Sequence, residues 1–151
     1  MLNYNACRIS EFLDLKKENV HLEKQYFDVV ESKTENGIRK VPIADKMLPF
    51  YKGWMERSPC EYLLCTTDGK HLDYFNYCDT YWDPLMEEYG MKHKPHDTRH
   101  TCISMMADAG VNPTIQKKIA GHSGAMSLTE RVYTHLDIQT LIDGINMICN
   151  P

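Results

Sequence analysis

The stretch Lys92-His93-Lys94-Pro95-His96-Asp97-Thr98-Arg99-His100 is the densest polar cluster of the chain and opens its clearest run of helices. On a helix, His96, Arg99 and His100 occupy positions i, i+3 and i+4 and share one face. A face of imidazole and guanidinium suits an anionic oxygen, because arginine offers phosphate a planar fork and stays charged. Histidine adds a group that moves protons near neutral pH. Taken alone, the cluster leaves open a second interpretation, a solvated helix start of mixed charge.

Helices follow this cluster to the end of the chain. The sequence predicts one helix over 97–109 and a second over 113–120, which Asn112 caps and Pro113 opens. A short helix over 129–135 and an amphipathic helix over 138–148 complete the predicted series.

The N-terminal part of the sequence mixes helix and strand. Apolar residues from Ile9 to Leu15 are spaced for one helix face, and strands are predicted over 26–31 and 38–42. Asn36-Gly37 lies between the strands and favours a hairpin turn. Helices over 45–57 and 72–89 follow. The predicted class is α+β, with a small antiparallel sheet near the N-terminus and helices elsewhere.

At this point the sequence resembles the tyrosine recombinase, or phage integrase, family. The matching pieces are Cys7-Arg8-Ile9-Ser10-Glu11, Ser32-Lys33-Thr34, His96-Asp97-Thr98-Arg99-His100, Gly121-His122-Ser123 and Val132-Tyr133-Thr134-His135. They occur in the family's order. The sequence departs from the family pattern at two places. Asn5-Ala6-Cys7 stands where Thr-Gly and an apolar residue are common before the arginine, and Ala120 replaces the usual Leu before Gly-His.

The resemblance implies a site for DNA strand cleavage and rejoining through a covalent 3′-phosphotyrosine, with no metal and no other cofactor. The residues it places around the scissile phosphate are Arg8, Lys33, His96, Arg99 and His122. Tyr133 would be the nucleophile. Glu11 would brace the arginine pocket, and His100 is expected to be structural, hydrogen-bonded within the core.

Double-stranded DNA is the implied partner, although the net charge is −4. Lysines and arginines are therefore expected to gather on one face. The candidate contacts are Arg39, Lys40, Lys92, Lys94, Lys117 and Lys118. We expect weak, strongly salt-dependent DNA binding by this chain alone. Self-association on DNA is expected through the apolar stripe Ile138–Ile148, for which folding back onto its own domain is the alternative.

Residues 1–151 are expected to form one recombinase catalytic domain, without the beginning of that domain and without the separate DNA-clamping domain. No run of 18 apolar residues and no secretion signal is visible, which favours a cytoplasmic protein. The resemblance implies that this protein comes from a phage or mobile element. The six cysteines are expected to be free thiols.

Two other functions compete with this interpretation. His96 and His100 have the H-x-x-x-H spacing of a zinc metalloprotease helix, but Asp97 replaces the usual Glu, and Arg99 would put positive charge beside the metal. The helices over 97–109 and 113–120 could instead form a non-catalytic helix-turn-helix DNA-binding module. That module would have no need of a tyrosine at position 133.

Overall fold

The computed structural model describes residues 2–31, 37–121 and 136–149. Three strands form one antiparallel sheet in the order β1-β2-β3, namely Val20–His21, Tyr26–Val29 and Arg39–Pro42. The pairing of Phe27 with Val41 and of Val29 with Arg39 confirms the predicted hairpin. The two-residue strand β1 was not expected.

Seven α-helices are found among the described residues. They are α1 (Ile9–Leu13), α2 (Leu48–Arg57), α3 (Tyr74–Tyr77), α4 (Asp83–Glu88), α5 (Asp97–Asp108), α6 (Pro113–Ala120) and α7 (Ile138–Asn146). Short 3₁₀ helices cover Leu2–Tyr4, Lys17–Asn19, Leu22–Lys24 and Asp45–Met47. A π-helical turn, Cys78–Trp82, joins α3 to α4. The predicted α+β class is confirmed.

The helix ends follow local chemistry. The side chain of Asn112 accepts a hydrogen bond from the Thr114 N–H at 2.8 Å, which caps α6, and Asp137 caps α7 in the same way through Thr140. Gly121 ends α6 with a φ of 67°, a left-handed conformation in which glycine carries no Cβ penalty.

The core lies between the sheet and helices α1, α2, α5, α6 and α7. The rings of Phe12, Phe27 and Tyr51 pack against one another at its centre, with centroids 6.0–6.4 Å apart. All six cysteines are unpaired. None of the helices described is long and apolar enough to cross a membrane.

The apolar stripe of α7 packs within its own chain. Leu141, Ile142 and Ile145 are buried, and the helix lies against β3 and α6. The close approach of α7 to α6 occurs at Gly144, where an added Cβ would lie 2.7 Å from Cγ2 of Ile115. The sequence left two alternatives for this stripe, self-association on DNA or packing onto its own domain. In the structure the stripe packs onto its own domain.

Candidate functional site

A single carboxylate, that of Glu11 in the first turn of α1, holds two arginines. Its Oε1 accepts a hydrogen bond from Arg8 Nη1 at 2.6 Å, and its Oε2 accepts one from Arg39 Nη2 at 2.9 Å. Oε2 also accepts the backbone N–H of Arg8 at 3.0 Å, so Glu11 caps the helix that positions it. The side chain of Glu11 is 5% exposed and that of Arg8 is 38% exposed. The arrangement fixes Glu11 and leaves part of the Arg8 guanidinium open to solvent.

The pKa of Glu11 reports the same contacts. Burial raises the pKa of this carboxyl, but the hydrogen bonds and charge of Arg39, together with the hydrogen bonds from Arg8, outweigh the burial. The net effect lowers the pKa below its ordinary value. Glu11 is therefore ionised at neutral pH and can balance one of the positive charges around it.

Arg39 is buried and all three of its guanidinium nitrogens are hydrogen-bonded within the chain, which corrects its assignment as a DNA contact. Its side chain is 2% exposed and donates to the Ile119 carbonyl from Nε at 2.9 Å and to the Gly37 carbonyl from Nη1 at 2.7 Å. Successive side chains of a strand point to opposite faces, and Arg39 lies on the buried face of β3 with Val41 while Lys40 is exposed. That alternation was the available sequence signal for the burial of Arg39.

Arg99 extends from the buried face of α5, which it shares with Cys102 and Met106. It is 2% exposed, and its Nη1 donates to the Ala6 carbonyl at 2.5 Å. Burial, followed by the charges of Arg8 and Arg39, lowers its pKa. Arginine nevertheless stays protonated at any working pH. Arg99 thus adds a second fixed positive charge to the neighbourhood of Arg8.

The loop before α1 has an unusual backbone at the acceptor of Arg99. Ala6 has a φ of 49°, a left-handed conformation that alanine adopts at a cost of about 1–2 kcal/mol. This is one of the positions at which the sequence departs from the family's Thr-Gly. Asn5 stabilises the turn, since its Oδ1 accepts the N–H of Cys7 at 3.0 Å. The Asn5 side chain was not predicted to take part in the site.

His96 is an exposed residue at the start of α5. The ring of His100 packs edge-on against its ring, with the two centroids 4.9 Å apart. Partial burial lowers the pKa of His96, and the positive charges of His100, Arg99 and Arg8 lower it further. The neutral form of His96 is therefore favoured at pH 7. His100 is exposed, so the expectation that it hydrogen-bonds within the core is wrong. Helix α5 turns its Cys102–Met106 side inward and leaves His100 outside.

The structure thus brings together Arg8, Glu11, His96, Arg99 and His100, and adds Arg39 to them. Three other residues expected at the site, Lys33, His122 and Tyr133, lie outside the described residues, as does the predicted helix over 129–135. The remaining candidate DNA contacts are Lys40, Lys92, Lys94, Lys117 and Lys118. Lys40, Lys92 and Lys94 are exposed, whereas Lys117 and Lys118 on α6 are partly buried.

Residues 1–140 match the phage integrase family, and the chain belongs to that family. It is 26% identical over 151 residues to the tyrosine recombinase XerA of Pyrococcus furiosus, covering 96% of this chain and 51% of that protein. It is 29% identical over 148 residues to the XerA of Thermococcus onnurineus, covering 93% of this chain and 51% of that protein. The chain therefore spans about half the length of these curated relatives.

Solved structures share the fold. The Tn1549 transposon integrase in complex with transposon right end DNA superimposes with a TM-score of 0.71 at 22% identity, over 92% of this chain and 54% of that one. The integrase from mycobacterium phage Brujita gives a TM-score of 0.74 at 18% identity, over 97% of this chain and 48% of that one. The crystal structure of XerA recombinase gives 0.70 at 23% identity, over 99% and 56%.

The family match favours neither of the two competing functions. For the zinc metalloprotease, no group of three or more His, Cys, Asp or Glu side chains within the described ranges is arranged to hold a metal ion. For the helix-turn-helix module, α5 and α6 do form as expected and pack together. In this fold, however, α5 carries Arg99 and the His96–His100 pair into the arginine cluster.

Proposed function

We propose that this domain cleaves and rejoins DNA strands at specific sites through a covalent 3′-phosphotyrosine. The observation that carries the proposal is the arginine cluster, in which Arg8 and the buried Arg99 lie close to one ionised carboxylate, Glu11. Arg8 and Arg39 are hydrogen-bonded to Glu11 and Arg99 interacts with it electrostatically, so three guanidinium groups share one carboxylate and the site carries excess positive charge. A phosphodiester supplies the missing negative charge.

In the proposed reaction, Arg8 and Arg99 bind the two non-bridging oxygens and neutralise the charge that grows on them in the transition state. His122 is a further donor to these oxygens. Preorganised donors of this kind contribute about 3–4 kcal/mol each to transition-state stabilisation. The rigid support of Glu11 for Arg8 limits the reorganisation needed when the phosphate arrives.

Proton transfers complete the proposed mechanism. Tyr133 has an ordinary pKa of about 10 and needs a proton acceptor to attack phosphorus at neutral pH. His96 takes this role, and its lowered pKa, caused by partial burial and neighbouring positive charges, keeps it neutral and able to accept. Lys33 donates a proton to the leaving 5′ oxygen. The new phosphotyrosine bond replaces the broken phosphodiester bond, so the strand can be rejoined without an external energy source.

Double-stranded DNA is the proposed partner, bound through Lys40, Lys92, Lys94, Lys117 and Lys118. A lysine that binds a phosphate releases a counterion, so each phosphate contact makes binding more salt-dependent. Because the whole chain has a net charge of −4, we expect weak binding that is lost steeply as salt is raised.

Self-association on DNA through the stripe Ile138–Ile148 is a second part of the proposal. Since Leu141, Ile142 and Ile145 are buried in their own chain, this would require α7 to exchange with the same helix of a neighbouring protomer. A cytoplasmic protein of a phage or mobile element is the proposed setting, in keeping with the family and the DNA substrate.

Covalent trapping on a nicked suicide substrate tests the function. The unaltered chain is expected to form a covalent protein–DNA adduct, and Tyr133→Phe is expected to form none while binding DNA as before. Tyr89→Phe is the matched control, because Tyr89 is an exposed tyrosine at the end of α4. An adduct that persists in Tyr133→Phe, or that is lost equally in Tyr89→Phe, would refute the role of Tyr133.

A further inference from the structure

Arg39 joins three separate segments of the chain. Its guanidinium binds Glu11 on α1, the Gly37 carbonyl at the start of its own strand segment, and the Ile119 carbonyl in the last turn of α6. Nη2 also lies 3.8 Å from the Cys7 sulfur, next to Arg8. Each of the three guanidinium nitrogens of Arg39 already donates to one of these partners, so its effect on a bound ligand must pass through them.

We propose that Arg39 is a positioning residue for the strand-cleavage reaction, an inference that rests on the proposed function. It fixes the carboxylate of Glu11 and thereby the guanidinium of Arg8. It also ties two backbone points to that pair.

The geometry calls for a guanidinium rather than any cation. Nη1 and Nη2 approach the two oxygens of Glu11 at 3.3 and 2.9 Å, while Nε is used for Ile119. Lysine has a single ammonium group and cannot present donors in these directions at once. The backbone also packs closely around the Arg39 side chain, since a Cβ added at Gly121 would lie only 2.8 Å from Arg39 Nε.

Arg39→Lys keeps the positive charge but removes the planar guanidinium and its several donors. The effect on the cleavage rate constant is measured by single-turnover cleavage of a nicked suicide substrate. At saturating DNA we expect the cleavage rate constant to fall at least tenfold, with the DNA Kd changed less than threefold. Both are measured at a temperature where circular dichroism shows the variant folded. Arg57→Lys is the matched control, because Arg57 is exposed and its Nε donates to Gly53 within its own helix.

A double-mutant cycle with Glu11→Gln shows whether Arg39 acts through Glu11. If it does, the two fold-losses in cleavage rate are strongly non-additive, because either change releases Arg8. Multiplicative losses, or an unchanged rate in folded Arg39→Lys, would overturn the proposal. If Arg39→Lys does not fold, Glu11→Gln alone decides, since an unchanged cleavage rate in that variant also overturns it.

A readout without catalysis separates this inference from the proposed function. Nuclear magnetic resonance relaxation of the Arg8 side-chain Nε–H is expected to report an ordered group in the unaltered chain and a more mobile one in Arg39→Lys. Unchanged order would overturn the positioning role. If neither the unaltered chain nor Arg57→Lys forms an adduct, the proposed function is refuted. The relaxation of Arg8 then decides by itself whether Arg39 orders that side chain.

Discussion

Replacing Gly121 with alanine perturbs the contact between the end of α6 and Arg39, and Gly110→Ala supplies the comparison. Both glycines have left-handed backbones, with φ of 67° and 74°. An added Cβ at Gly121 would lie 2.8 Å from Arg39 Nε and 2.9 Å from its Cδ and Cζ, whereas nothing lies within 4 Å of one at Gly110. The two variants therefore share the backbone penalty and differ in the contact.

The magnitude follows from what Arg39 must give up. A left-handed alanine costs about 1–2 kcal/mol, which both variants lose. At Gly121 the guanidinium must also move, and its 2.9 Å hydrogen bond to the Ile119 carbonyl is broken or stretched. A hydrogen bond to a charged group contributes about 1.5–3 kcal/mol. We expect Gly121→Ala to lower the free energy of unfolding by about 2 kcal/mol more than Gly110→Ala.

Urea unfolding followed by circular dichroism measures both free energies on the same chain. Arg39→Lys provides an internal check, because in that background the difference between the two glycine variants should shrink. Equal destabilisation by Gly121→Ala and Gly110→Ala would show that the buried guanidinium does not constrain the end of α6, and the argument for its close packing would fail.

Three further predictions concern the site and its packing. The pKa of Glu11 in the folded chain lies below its ordinary value of 4.5. The ionised carboxylate therefore stabilises the fold above pH 4.5, and this stabilisation is lost as the pH falls through the folded pKa. The acid unfolding of Glu11→Gln should not show this loss of stability. As proton acceptor, His96 must be neutral, so the pH profile of adduct formation should rise with a midpoint below 6.5, and a midpoint above 6.5 would contradict its role. Gly144→Ala should cost about 1–3 kcal/mol by overpacking against Ile115, and Ile115→Ala in the same chain should cost less than the sum of the single changes.

The hairpin strands and helices α5, α6 and α7 could be predicted because their signals are local. The predicted helix over 113–120, with Asn112 as its N-cap and Gly121 after its end, has the bounds of α6 in the structure. Strand β1 could not be predicted in this way, since two residues are too few to show alternation, and their pairing with Tyr26 and Phe27 comes from the neighbouring strand.

For the candidate site too, some features could be predicted from the sequence and others could not. Arg8, His96 and Arg99 are separated by up to 91 positions, and only their motifs, in the order known from a family, indicated that they act together. The direction of each side chain was not visible in those motifs. Arg39 was taken for a DNA contact beside the lysines of the predicted hairpin, and His100 for a structural residue of the core, whereas Arg39 is buried and His100 is exposed.

Sequence alone is enough for the α+β class, for the cap and ends of α6, and for membership of a family recognised by ordered motifs, because each depends on neighbouring residues or on residue identity. The folded chain is needed to see that Glu11 holds two arginines at once, that Arg39 is buried between α1, β3 and α6, and that the stripe of α7 packs within its own chain. Arg39 contacts Glu11 and Ile119 across 28 and 80 positions, and the energies of these contacts depend on burial and hydrogen-bond geometry that no local pattern encodes.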